Sequence, residues 1–298
     1  MGKASRTKRD GSARERIAAQ RAAARRTEIR NRVFLASGAV VVVIAIVVAF
    51  VLVKANGNSK SSTGASNGPT GTALASVVDK VTTVPASALD SVGAGSVTGG
   101  LTPVTGPPLT VGGKPQVLYI GAEYCPYCAA QRWAMIVALS RFGTFSGLST
   151  VHSASRDVYP NTSTFTFHGS HYTSKYLTFA PVEETTNVPN GASSYTPLDK
   201  PTAAQQALAS KYDKQGSIPF IDFGNKYVQT GNNPGYGPQD LSGKSWSQIA
   251  AALSDPSSPI AKAVDGAANY TTAAICKLTN NQPASACTPA VKALEAKL

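Results

Sequence analysis

The sequence predicts an α/β domain preceded by one N-terminal transmembrane helix. An apolar run at 117–120 leads into Cys-Pro-Tyr-Cys at 125–128, and a helical pattern follows at 129–139. A strand-turn-strand pattern at 218–229 adds further β-structure to the same domain. The stretch 33–53 holds 21 residues without a charge, which is long enough to cross the hydrocarbon core of a bilayer. These three patterns together predict the fold class.

The N-terminal tail, residues 1–32, carries most of the positive charge. It holds eleven Lys and Arg residues against three acidic residues, a net +8 of the chain's formal +12. A basic tail is compatible with nucleic acid or with anionic lipid as its partner. Because an apolar span follows at once, the positive-inside rule predicts a cytoplasmic tail that contacts anionic lipid. We therefore expect no nucleic-acid partner.

The apolar stretch 33–53 is predicted to be an uncleaved membrane anchor. It has no polar face, unlike a buried core helix, and it is longer than the apolar region of a typical signal peptide. Residues 54–71 are rich in Gly, Ser, Asn and Thr and predict a flexible linker. The expected product is a single-pass cell-membrane protein with an extracytoplasmic domain at 72–298.

Alternating and helical patterns predict the elements of that domain in order. Candidate helices lie at 74–84, 129–139, 202–214, 245–253 and 259–278, and candidate strands at 109–111, 116–121, 148–152, 218–223 and 226–229. Thr202 and Ser245 are candidate helix caps. The aromatic-rich segment 153–200 has few helix signals, and partial alternation at 164–167 and 172–179 suggests a hairpin.

The Cys-Pro-Tyr-Cys sequence predicts a reversible disulfide. A thiol at the start of a helix is stabilised as the thiolate, so Cys125 is the expected nucleophile and Cys128 the resolving thiol. Pro126 suits the first helical turn because it has no backbone N–H. A zinc site completed by His168 and His171 is the rival interpretation, but the spacing fits no compact zinc finger. We expect no metal and no cofactor.

Downstream of this pair, Ile218-Pro219 opens a strand-turn-strand pattern, and in that order the chain resembles the thioredoxin superfamily. The resemblance implies that Pro219 lies on a cis-proline loop that packs against the dithiol. It also implies that the backbone there pairs with substrate, so Ile218, Pro126 and Tyr127 are the expected substrate contacts. The tetrapeptide is similar to that of glutaredoxins. The exported context resembles the disulfide-forming oxidoreductases of bacterial envelopes.

The chain is also similar, over about residues 75–298, to a family of membrane-anchored thioredoxin-like proteins catalogued as domain of unknown function 929. The shared motifs are Tyr-Ile-Gly-Ala-Glu-Tyr-Cys-Pro-Tyr-Cys, Ser-Ile-Pro-Phe-Ile and Ala-Ile-Cys-Lys-Leu-Thr. The resemblance implies a thioredoxin-like fold and no known substrate. The distance in sequence from Cys125 to Pro219 is longer than in minimal thioredoxins, which predicts an insertion at about 153–200.

A second cysteine pair, Cys276 and Cys287, lies near the C-terminus. All four cysteines follow the apolar span, and an even number in an exported domain is typical of disulfide pairing. We expect a structural disulfide between Cys276 and Cys287. The alternative is a second redox pair that relays electrons to Cys125 and Cys128.

Several further residues near the dithiol or elsewhere in the domain have weaker predicted roles. Glu123 precedes Cys125 by two residues and is interpreted as a solvated carboxylate at a strand end, with proton transfer to Cys128 as the alternative. Trp133 is expected in the core, and Tyr124 and Tyr127 around the dithiol. Solvated positions are expected for the three histidines, His152, His168 and His171.

The expected function is that of a membrane-anchored, extracytoplasmic thiol–disulfide oxidoreductase. An oxidising compartment favours oxidase or isomerase activity, and a reductase supplied with electrons by a membrane partner is the alternative direction. Its substrates would be protein thiols or disulfides of the envelope, and a membrane protein is a candidate redox partner. One alternative is a non-catalytic envelope binding module in which the Cys-Pro-Tyr-Cys disulfide is structural. The other is copper or zinc handling through the two cysteines.

Overall fold

The computed structural model describes residues 68–298. The basic tail at 1–32, the apolar span at 33–53 and nearly all of the linker at 54–71 lie outside these residues, and their assignments stay predictions. Among the described helices, none combines the length and the apolar character needed to cross a membrane.

The described residues form a mixed α/β structure. Its helices are α1 (Gly71–Thr82), α2 (Ala86–Val92), α3 (Pro126–Ser140), α4 (Ala203–Tyr212), α5 (Trp246–Ala252), α6 (Pro259–Leu278) and α7 (Pro289–Glu295), with a short 3₁₀ helix at Pro238–Asp240. Its strands are β1 (Thr102–Pro103), β2 (Thr110–Val111), β3 (Lys114–Gly121), β4 (Gly143–Ser146), β5 (Ser149–His152), β6 (Ser163–Thr166), β7 (His171–Ser174), β8 (Thr178–Glu183), β9 (Thr185–Pro189), β10 (Tyr195–Pro197), β11 (Phe220–Phe223) and β12 (Tyr227–Thr230).

The strand β3 is the centre of a six-stranded sheet. β11 pairs with it antiparallel, and β12 and β1 continue the sheet beyond β11. β8 pairs with it parallel, and β2 forms a hairpin with its first residues. Val117, Leu118 and Tyr119 of β3 are fully buried, as expected of a central strand that is covered on both faces.

Helices cover both faces of this sheet because alternate strand residues point to opposite sides. Val117 and Tyr119 face the larger apolar core, which contains most of α3 and α6. Leu118 and Ile120 face a smaller core beneath α4. The turn that leads into α3 follows the C-terminal end of this central strand.

The helix boundaries follow local sequence signals. Thr202 caps α4 and Ser245 caps α5, each through a capping box that is completed by a Gln three residues later. Both caps confirm the sequence prediction. The predicted helix at 259–278 is also confirmed, as α6.

The segment 153–200 is built differently from the expected hairpin. β6 pairs with β5, β7 pairs with β4, and β8 pairs with β3, so 164–167 and 172–179 do not pair with each other. β8 is also part of the central sheet rather than of a separate insertion. The alternating pattern of apolar residues predicted strands in this segment. It did not predict which strands they pair with, because each partner lies elsewhere in the chain.

Candidate functional site

The dithiol lies where β3 ends and α3 begins. Cys125 is the N-cap of α3, and its Sγ accepts a hydrogen bond from the backbone N–H of Cys128 at 3.2 Å. Pro126 occupies the first turn of the helix, where a missing N–H costs nothing. The free N–H groups and the dipole at this helix end favour negative charge on the Cys125 sulfur.

The two thiols differ in their access to solvent. Both are free, and Cys125 is 5% exposed whereas Cys128 is fully buried. Cys125 is therefore the sulfur nearer to solvent. Cys128 lies behind it, within the protein.

The same asymmetry appears in the acidity of the thiols. The hydrogen bond from the Cys128 side chain lowers the pKa of Cys125, although burial opposes that shift. Backbone N–H groups and the charge of Arg132 lower it further. Burial, followed by the hydrogen bond to Cys125, raises the pKa of Cys128. The arrangement thus favours a thiolate at Cys125 and a neutral thiol at Cys128.

The loop before β11 closes over Cys125. The Ile218–Pro219 peptide bond is cis, as the resemblance implies, and the Cys125 Sγ lies 3.8 Å from the carbonyl oxygen of Ile218. The pairing of β11 with β3 brings the two segments together, because Phe220 lies opposite Ile120. Pro219 accepts a hydrogen bond from Gly231 N, which holds the loop from its other side.

A cavity of about 280 Å³ opens beside this loop. Ile218 lines it together with Ile120 and Phe220, and α4 forms another wall. Glu184 and Lys214 add charged groups to its lining. The cavity is therefore lined by a residue, Ile218, that also contacts the Cys125 sulfur.

Aromatic side chains from the segment 153–200 pack against the dithiol turn. Tyr124 stacks on Tyr195 with ring centroids 4.3 Å apart, and burial raises the pKa of Tyr124 to about 12. Tyr127 is 41% exposed and meets the ring of Tyr159 edge-on. Of the predicted substrate contacts, Tyr127 is exposed and Ile218 is half-buried, whereas Pro126 is buried.

Side-chain amides hold the first turn of α3 against the loop that follows β12. Asn232 Nδ2 donates to the Tyr127 carbonyl at 3.0 Å and to Gln131 Oε1 at 3.1 Å. Gln229 Nε2 donates to the same Gln131 oxygen at 3.0 Å. These contacts were not expected from the sequence, since Gln229 and Gln131 are 98 residues apart.

A buried ion pair lies one helical turn beyond Cys128. Arg132 on α3 and Glu183 at the end of β8 are both fully buried, and the guanidinium binds both carboxylate oxygens. The sequence prediction missed this pair. Arg132 is the one charged residue in the largely apolar run 129–139, and this is the signal that could have indicated the pair.

The predicted position of Glu123 was wrong. The side chain is fully buried between β3 and α3 rather than solvated at a strand end. Its backbone N–H donates to Thr185 O at 2.9 Å, so β9 covers the turn that precedes the dithiol. The sequence could not indicate this cover, because it comes from a strand about sixty residues away.

Solvation was predicted for the three histidines. His152 is instead partly buried against the Trp246 ring, and burial lowers its pKa. His168 Nδ1 pairs with Asp199 at 2.8 Å. Only His171 is exposed. Within residues 68–298, no group of three or more His, Cys, Asp or Glu side chains is arranged to hold a metal ion.

Cys276 and Cys287 form a disulfide, the pairing expected from the sequence. It joins the end of α6 to the segment before α7, and both residues are buried. Trp133 is fully buried, as expected, and its indole N–H donates to Ser163 O at 2.9 Å.

Comparison with known proteins gives one family match. A family model described as "Domain of unknown function (DUF929)" matches residues 102–193, which supports the resemblance to that family. The matched region includes β3, the dithiol, α3 and β8. No curated protein and no solved structure matches the chain.

Proposed function

We propose that this protein is a thiol–disulfide oxidoreductase with a thioredoxin-like fold, in which Cys125 is the nucleophile and Cys128 the resolving thiol. One observation carries the proposal: the Cys125 sulfur caps α3, with a lowered pKa, between the buried Cys128 thiol and the Ile218 carbonyl. A structural disulfide needs neither an acidic thiol nor such an asymmetric pair.

The sheet supports the thioredoxin-like assignment. The dithiol follows a central strand, β3, that has a parallel neighbour, β8, and is paired on its other side with the antiparallel hairpin β11–β12. The cis-proline loop directly precedes this hairpin. The segment between α3 and α4 then contains β8 together with short two-stranded sheets at one side of the site. Their aromatic residues would contribute to substrate recognition.

The reaction follows from the position of the two sulfurs. The Cys125 thiolate attacks one sulfur of a substrate disulfide and forms a mixed disulfide, and the second substrate sulfur leaves as a thiolate. Cys128 then loses its proton and attacks Cys125 Sγ. The substrate leaves with two thiols and two electrons, and Cys125–Cys128 becomes the disulfide. The reverse sequence oxidises a substrate dithiol.

The substrate would lie along the Ile218 loop. Its backbone would pair with Ile218, its cysteine would meet Cys125, and a neighbouring side chain would enter the cavity of about 280 Å³. The exposed Tyr127 ring would contact the same segment. Protein thiols and disulfides of the envelope are the proposed substrates.

Residues 33–53 would anchor this domain to the outer side of the cell membrane, with the basic tail at 1–32 on anionic cytoplasmic lipid. A membrane protein that exchanges electrons with Cys125 and Cys128 would complete the cycle. The chemistry proposed here needs no bound cofactor.

Full-length protein in detergent tests the proposal. The wild-type protein should reduce insulin in the presence of dithiothreitol. With Cys125–Cys128 as a disulfide, it should oxidise a reduced model protein. Cys125→Ser should abolish both activities. Cys128→Ser should accumulate the mixed disulfide, which mass spectrometry detects. Equal rates for wild type and Cys125→Ser would overturn the proposal.

A further inference from the structure

A buried positive charge lies beside the dithiol. Arg132 is on α3, one turn after Cys128, and none of its side chain reaches solvent. Its Nε and Nη2 donate to the two carboxylate oxygens of Glu183 at 2.8 and 2.7 Å. Removing two charged groups from water costs several kcal/mol per ion before their attraction is counted. A pair in this position therefore calls for an explanation beyond packing.

The guanidinium is bonded to the turn that carries the nucleophile. Arg132 Nη2 also donates to the Ala122 carbonyl at 2.7 Å. The same carbonyl accepts the backbone N–H of Cys125 at 3.3 Å. A single oxygen thus connects the cation to the backbone of Cys125.

The pair presents its positive member to the dithiol. Arg132 shares a helix with Cys128, whereas Glu183 lies on β8, where its Oε1 also accepts the Phe167 N–H at 3.3 Å. Arg132 Nη1 is buried and has no hydrogen-bond partner within residues 68–298. The Glu183 contacts are made through Nε and Nη2, so Nη1 is the part of the guanidinium without a hydrogen bond in the described part of the chain. Its field therefore acts on the anionic form of the neighbouring sulfurs.

We propose that Arg132, held in place by Glu183, is a positioning residue that stabilises the thiolate form of the Cys125–Cys128 pair and so makes their disulfide more oxidising. The inference rests on the proposed function. Stabilising the thiolate favours the reduced pair, and a disulfide whose reduced form is favoured accepts electrons more readily. The pair would then work mainly in the direction that oxidises substrate dithiols.

The electrostatics of the site agree with this geometry. The hydrogen bonds from the side chain and backbone of Cys128 lower the pKa of Cys125 most, and the charge of Arg132 lowers it further. The same charge lowers the pKa of Cys128 and so opposes the effect of burial there. The other titratable groups at the site are Tyr124, Glu123 and Tyr119. Burial raises the pKa of Tyr119 and of Tyr124, which keeps both rings neutral.

Two single substitutions with opposite expected effects test the inference. Arg132→Met removes the cation and leaves the Glu183 carboxylate, so the pKa of Cys125 should rise. Glu183→Gln leaves the cation uncompensated, so the pKa should fall below that of the wild type. The pH dependence of iodoacetamide alkylation at Cys125 measures both in full-length protein.

The redox equilibrium should move in the same two directions. One protein disulfide and two molecules of glutathione give one protein dithiol and one molecule of oxidised glutathione, and mass spectrometry gives the equilibrium constant. We expect it to fall about tenfold in Arg132→Met and to rise in Glu183→Gln. Asn269→Leu controls for lost buried hydrogen bonds, since Asn269 bonds Leu89 O and Gly93 O, and should leave the constant within about twofold.

The outcomes separate the inference from the proposed function. The pKa of Cys125 and the equilibrium constant could shift in the same direction in folded Arg132→Met and Glu183→Gln proteins, or could stay unchanged in both. Either result would refute the role of Arg132 and leave the proposed function standing. A wild-type pair that never exchanges with glutathione would refute the proposed function. If Arg132→Met does not fold, the double variant Arg132→Met/Glu183→Gln removes both charges of the pair, and an unchanged equilibrium constant in that protein would refute the inference.

Discussion

Cys125 and Cys128 are chemically identical side chains, and their surroundings make them different. Cys125 has the helix N-terminus and the Cys128 hydrogen bond, which lower its pKa. Cys128 is fully buried, which raises its pKa. A dithiol whose first thiol ionises easily and whose second stays protonated offers one nucleophile for a substrate disulfide and keeps a second thiol to resolve the mixed disulfide.

Replacing Cys128 tests this difference at the level of one residue. Cys128→Ala should raise the pKa of Cys125, because the hydrogen bond from the Cys128 side chain is the largest cause that lowers it. Less thiolate at neutral pH should then slow alkylation of Cys125. The pH profile of iodoacetamide alkylation, followed by mass spectrometry, measures the change.

Cys128→Ser is the matched control, because its hydroxyl can still donate to the Cys125 sulfur. The pKa of Cys125 in Cys128→Ser should therefore be closer to the wild-type value than the pKa of Cys125 in Cys128→Ala. Identical profiles for the two variants would contradict the assigned hydrogen bond.

Individual elements bring distant residues to the site. β8 carries Glu183 to Arg132, and the pairing of β11 with β3 carries Ile218 to Cys125. At the other end of the domain, the Cys276–Cys287 disulfide ties α6 to α7 and is buried. A buried disulfide offers little access to an attacking thiolate, so its expected role is structural.

Removing this disulfide should change stability and leave the chemistry intact. The bond joins cysteines that are 11 positions apart in the sequence. Closing such a loop in the unfolded chain contributes about 3 kcal/mol to the free energy of unfolding. Cys276→Ala/Cys287→Ala should therefore lower the free energy of unfolding by about that amount, as measured by urea denaturation. A folded double variant that had lost thiol exchange would instead indicate an electron relay.

At the scale of the whole molecule, the core also contains an ionisable carboxyl group. Asp265 on α6 is fully buried, and neither carboxylate oxygen has a hydrogen-bond partner in the part of the chain that the structure describes. Burial raises the pKa of Asp265 to about 8. The unfolded chain loses this proton near the ordinary aspartate value of about 3.9. At pH values between these two pKa values, the folded state holds a proton on Asp265 that the unfolded state has lost.

The stability of the whole protein should therefore depend on pH through Asp265. As pH rises from about 4 to about 8, the unfolded state ionises freely while the folded state holds the proton, so the free energy of unfolding falls. Asp265→Asn should remove this loss and stabilise the protein on the order of 6 kcal/mol above pH 8. Urea denaturation across this pH range measures it.

Asp255→Asn is the control, because Asp255 is exposed and its pKa is lowered by the hydrogen bond from the Ser257 hydroxyl. This variant should show a small effect of opposite sign. A difference between wild type and Asp265→Asn that did not change with pH would contradict the prediction.

Local signals in the sequence determined much of the molecule. Residues within one or two turns of each other decide the caps at Thr202 and Ser245, the helix at 259–278 and the position of Cys125 ahead of Cys128. Pro126 and the helical run after it place the thiol at a helix N-terminus. The resemblance to the thioredoxin superfamily, which rests on Cys-Pro-Tyr-Cys and Ile218-Pro219 in that order, implied that the two segments meet.

Only the tertiary structure decided the rest. The Arg132–Glu183 pair joins residues 51 positions apart, and the buried state of Glu123 depends on cover from β9. The pairing of β6, β7 and β8 with β5, β4 and β3 could not be inferred from alternation, because each strand fits several partners equally well by pattern. Sequence patterns record which face of an element is apolar, whereas the partner of a buried charge is fixed only when distant elements pack.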